Sequence, residues 1–90
     1  MNYKELKMLM RGKARLARGL VNLLKDDTEQ IYNDVNTFDV NTFDVNTFDV
    51  IGLEEAILDT KRTTQQLTDA VTDLEYYLYL AKKDTINIDA

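Results

Sequence analysis

The chain has no cysteine, histidine, proline, tryptophan or serine, and each absence closes off a class of chemistry. Without Cys or His there is no disulfide staple and no zinc site of the usual donor set. Without Ser, Cys and His the common nucleophile–base pairs are missing, and so is the commonest general base. Carboxylates such as Glu54, Glu55 and Asp59 remain, but paired acid catalysis needs two of them facing each other across a cleft. A bundle di-iron site needs a Glu-x-x-His pair. The expectation is a non-enzymatic protein with no catalytic residues, no metal and no cofactor. No stretch approaches the ~20 apolar residues that cross a bilayer, so no membrane span is expected. The lack of Cys fits a reducing compartment, and the expected location is cytoplasmic, or host cytoplasm or virion for a viral protein. Residues 1–25 are amphipathic and basic like a mitochondrial presequence, yet they lack the serines of such leaders, and cleavage is not expected.

With no proline and only three glycines, little interrupts a helix. At about 100° per residue, Leu6, Leu9, Met10, Leu16, Ala17, Leu20, Val21, Leu23 and Leu24 share one broad face, which Ile31 and Val35 extend. The face has two rows, Leu9, Leu16 and Leu23 beside Met10, Ala17 and Leu24, and a helix with two apolar rows usually touches two neighbours. Gly12 and Gly19 stand seven apart at its edge, a spacing compatible with a close helix crossing. A helix over about residues 2–33 is expected, with a kink near 26–28 as an alternative because Asp27 and Gln30 have capping-box spacing.

From Leu53 onward, Leu53, Ile57, Thr60, Thr64, Leu67, Val71, Leu74, Leu78 and Ala81 alternate in steps of four and three. That pattern predicts a heptad seam on a second helix over about residues 51–83, followed by a short tail, 84–90. Between the helices Asp34-Val35-Asn36-Thr37-Phe38 recurs as Asp39–Phe43 and Asp44–Phe48, then closes with Asp49-Val50. A period of five turns successive Phe residues about 140° apart on a helix and flips them across a strand. Asn and Asp favour local turns, so a loop over about 34–50 is expected. The unit resembles the pentapeptide-repeat family, a resemblance that implies a quadrilateral β-helix with Phe38, Phe43 and Phe48 central. Three units, however, are too few to close and stack its coils. Asp34-x-Asn36 begins like a calcium loop, but Phe38 and Asp39 occupy the places of a ligand and of the required glycine. Duplication of a short segment in a loop that tolerates length change is the plainer account.

These elements make an all-α fold, one domain in which two long helices form an antiparallel, coiled-coil-like hairpin. A chain this small buries only about 60–65% of its unfolded surface. Having no other staple, the hairpin is expected to assemble into an oligomeric helix bundle.

Charge is unevenly spread: residues 1–25 carry seven basic side chains and one acid, and residues 26–90 carry four and fifteen, giving the net −5. Lys4, Lys7, Arg11, Arg15, Arg18 and Lys25 fall on one stripe opposite the apolar face, where cations near a helix N-terminus oppose the macrodipole. Pairing with acids of the assembly, nucleic-acid phosphates, and an anionic membrane surface or acidic protein are the competing explanations. Lys13 projects instead into the apolar face. Folding back about residue 42 brings it level with Thr72, within reach of Asp69 or Asp73 for a register-setting ion pair. Tyr76, Tyr79 and Leu80 point away from the expected seam and form a candidate protein interface. The function expected is protein–protein binding and assembly, in a viral, plasmid or other mobile-element accessory or structural protein. A nucleic-acid-binding bundle using the basic stripe is the alternative. A third reading is an acidic nucleic-acid mimic presenting Glu54, Glu55, Asp59, Asp69 and Asp73.

Overall fold

A computed structural model describes residues 2–37 and 48–89, with side chains placed over 2–37 and 50–83. Two helices, α1 (Tyr3–Asn36) and α2 (Phe48–Asp89), pack against each other. Lys13 meets Asp73 and Asp27 meets Thr63, so partner numbers fall as α1 numbers climb and α2 runs back along α1. The result is a rod of 70 × 16 × 15 Å. The middle of the tandem repeat, residues 38–47 with Phe38 and Phe43, lies outside the described residues, as does the Phe48 side chain.

Local chemistry sets the ends of α1. Asn2 is extended and its side chain accepts from the Glu5 N–H at 2.9 Å, while the Asn2 amide donates to the Glu5 carboxylate at 3.4 Å. One orphan N–H of the first turn, that of Glu5, is thereby engaged, and the second contact ties the two side chains together. At the other end the Thr37 hydroxyl donates to the carbonyls of Asn33 and Asp34 at 3.0 and 3.2 Å, so the first repeat unit supplies the cap.

The helix is continuous through 26–28, so of the two readings the single helix holds and the kink near 26–28 does not. Asp27 does not cap a new helix: it accepts from the Thr63 hydroxyl across the interface at 3.3 Å, and Gln30 donates to Asp34. Because α1 runs on to Asn36, Asp26 and Asp27 lie more than a turn from its C-terminus, where the macrodipole's reach has fallen off. Residues 34–36 and 48–50, expected to belong to the loop, are drawn into the two helices instead. Nor is 84–90 a separate tail, because α2 continues to Asp89 with no glycine or proline after Gly52 to stop it.

The packed side chains of α1 are Leu6, Met10, Lys13, Ala17, Leu20, Leu24, Asp27, Ile31 and Asp34, in steps of four and three. Those of α2 in matching steps are Leu53, Ala56, Thr60, Thr63, Leu67, Ala70, Leu74, Tyr77 and Ala81, with Val50, Asp73 and Leu80 half-buried beside them. This corrects the expected seam. The row Leu53, Thr60, Leu67, Leu74 and Ala81 is shared, but its companion is Ala56, Thr63, Ala70 and Tyr77. Ile57, Val71 and Leu78 instead remain 42%, 45% and 46% exposed. Periodicity cannot choose between companions three and four residues away, because both complete a heptad. The companion facing α1 is mostly small, and small residues allow helices to approach closely.

On α1 the second row behaves likewise, with Leu9, Leu16 and Leu23 41%, 48% and 54% exposed. Leu16 shares a groove with Gln66, Asp69 and Asp73, on the opposite flank of α2 from Val71 and Leu78. Two apolar rows are therefore left uncovered, one on each face of the rod. A Cβ built at Gly12 or Gly19 meets nothing within 4 Å, so neither glycine serves a close crossing inside the hairpin.

The shared core is thin: Leu6, Leu20, Ala56, Ala70 and Thr63 are its buried members among the described residues. Threonine is tolerated in α2 because its hydroxyl can bond within the helix. Thr60, Thr64 and Thr68 donate to the carbonyls four residues back at 2.8, 2.7 and 3.0 Å, which leaves their methyl groups for packing.

Candidate interaction surfaces

Lys4, Arg11, Arg18 and Lys25 recur every seven residues along the outer side of α1, with Lys7 and Arg15 flanking them, and all six are exposed. Among the described residues none of the six forms an ion pair. The acids of α2 do not reach them, because the hairpin brings the opposite side of α1 to the interface. Lys7 and Arg11 also line an open, largely apolar groove of about 500 Å³, with Met10, Ala14 and Leu74 among its walls. Acids gather toward the loop: Asp27, Asp34, Glu55 and Asp59 line a separate polar groove. The rod thus has a basic open end and an acidic loop end. No group of acids among the described residues is arranged to hold a metal ion, and no described helix is long and apolar enough to cross a membrane.

Of the three residues set apart as a register pair, Lys13 and Asp73 come together, with Lys13 Nζ 2.8 Å from Asp73 Oδ2. Asp69 instead accepts from Gln65 at 3.0 Å on its own helix. The hydrogen bond from Lys13 to Asp73, then the attraction of that carboxylate, raises the Lys13 pKa above its ordinary 10.5. A raised lysine pKa contributes stability that is full below the unfolded value and is lost as pH climbs through the folded one. Thermal melts of the wild type should therefore show an added loss of stability above pH 10.5 that Lys13→Gln abolishes. An identical alkaline profile in both proteins would show that the contact contributes nothing to folding.

Tyr76 and Tyr79 are 58% and 59% exposed, and the Tyr76 ring packs at 6.0 Å, tilted, on Tyr77. Leu80 is half-buried and so belongs partly to the hairpin. The row Ile57, Val71 and Leu78 was hidden from sequence reasoning as a surface because it completes a heptad seam. The signal that could have exposed it is the second, smaller companion row beside the same leucines.

Fold and surfaces together define a two-helix hairpin with one shared seam and two uncovered apolar rows. Comparison with protein-family models, curated proteins and solved structures gives no match to this chain.

Proposed function

We propose that this protein is a non-enzymatic helical assembly module that works by binding protein chains, its own copies included. One observation carries the reading: apolar rows are left uncovered on opposite faces of the rod. Leucine and isoleucine rows at heptad spacing are what a further helix packs against, and contiguous exposed apolar surface on a small protein marks an interaction site. A bundle of such hairpins would supply the burial that one hairpin lacks. An accessory or structural role in a virus, plasmid or other mobile element suits a module of this size. Sedimentation equilibrium from low to high micromolar concentration should give a mass above that of one chain, and the melting temperature should rise with concentration. A monomeric mass with cooperative, concentration-independent melting would overturn the reading.

A second reading, nucleic-acid binding, is favoured by the exposed stripe on α1 that has no acid partner among the described residues. Cations seven residues apart stand about 10.5 Å apart along a helix and could follow a phosphate backbone.

A further inference from the structure

We propose that the outer face of α2 docks onto the same face of a second copy, antiparallel, about a two-fold axis near Thr68. The proposal rests on the assembly reading and names its partner and its geometry. Its starting point is the uncovered row Ile57, Val71 and Leu78, beside which Leu58 and Tyr79 are also exposed.

The charges along this face identify the occupant. Glu54, Lys61, Thr68, Glu75 and Lys82 recur every seven residues next to the apolar row, and all are exposed. Among the described residues none of these four charged groups forms an ion pair. When two copies of α2 are laid antiparallel about Thr68, Glu54 comes level with the partner's Lys82, and Lys61 with the partner's Glu75. Two-fold symmetry repeats both contacts. In the same overlay Ile57 comes level with the partner's Tyr79 and Leu58 with the partner's Leu78, while Val71, nearer the axis, comes level with the partner's Gln65. A parallel overlay sets Glu54 against Glu54 and Lys61 against Lys61, like charge on like at every step. Exposed pairs add little affinity singly, but they decide orientation and partner while the apolar row supplies the area. The centre of the face is also prepared for contact, because the Thr64 and Thr68 hydroxyls donate to their own backbone and bring no unmet donor into the interface.

The experiment uses the full chain and reads the dimer dissociation constant at low salt. Lys61→Glu and Glu75→Lys should each weaken self-association roughly tenfold, since two opposite-charge contacts become two like-charge ones, with helicity unchanged. Mixing the two single variants should restore wild-type affinity as a heterodimer, because both contacts are then again of opposite sign. The double variant should be restored in the same way. Since the chain has no cysteine, Thr68→Cys should link two copies through a short bis-maleimide. Leu78→Cys should not, its counterpart lying about 30 Å away along the rod. An oligomer that links at Leu78→Cys, or ignores the charge exchange, overturns this geometry and leaves the assembly reading standing. A wild-type chain that stays monomeric at every concentration overturns both.

Discussion

Replacing Leu20 by alanine is expected to cost the hairpin about 2–5 kcal/mol, the range for truncating a buried leucine. Leu20 is 5% exposed, and it and Leu6 are the large side chains in a buried set otherwise made of Ala56, Ala70 and Thr63. The helix pair has few other contacts with which to absorb the loss. Its neighbours across the seam include Ala70, too short to fill the space. Small domains hold only about 0.05–0.15 kcal/mol per residue in reserve, so a loss of this size removes a large share of the hairpin's stability and should move its urea midpoint well below that of the wild type. The matched control is Leu16→Ala. Leu16 is 48% exposed in the hairpin, and its truncation should change the stability of a single hairpin by less than about 1 kcal/mol. Urea denaturation followed by circular dichroism separates the two. If both variants lose equal stability at high concentration and only Leu20→Ala does at low concentration, Leu16 is buried by assembly. If Leu20→Ala is as stable as the wild type throughout, this seam is not what holds the hairpin.

The second large effect concerns the basic stripe. Suppose the stripe binds nucleic acid, with Lys4, Lys7, Arg11, Arg15 and Arg18 each meeting a phosphate. Each contact would then add about 0.7–0.9 to the slope of log affinity against log salt. Arg11→Gln with Arg15→Gln should flatten that slope by nearly two units and weaken binding across all sequences alike. A stripe that is instead neutralised by acids of neighbouring copies gives another result. The same double variant then leaves nucleic-acid retention negligible before and after, and shifts association by a few tenths to about 1 kcal/mol per exposed pair. The expected outcome is the second, because the exposed acids Asp26, Glu29 and Glu55 lie toward the opposite end of the rod from the start of the stripe and can face it when copies lie antiparallel. Tight binding to nucleic acid at physiological salt, lost in the double variant, would reverse that expectation.

The sequence by itself determined that two long helices form, because apolar residues recur at helical spacing on both sides of a segment that suits neither helix nor strand. It also determined the approximate register: folding about residue 42 leaves Lys13 within reach of Asp69 or Asp73, and the contact made is with Asp73. Asn2 with Glu5 was a legible cap that went unread, while Asp27 with Gln30 had cap spacing and another use. A capping motif is satisfied by whichever partner the fold brings near, here Thr63 from 36 residues away. Only the tertiary structure decided which of two overlapping heptad rows on each helix faces inward. Leu53, Leu67 and Leu74 have a companion three residues on and another four residues on, and both fit the period. The choice was made by how closely α1 can approach. Ala56 and Ala70 permit a narrow interface, which turns Ile57, Val71 and Leu78 outward, and a rotation of this kind about the helix axis leaves no mark on the spacing of residues along the chain.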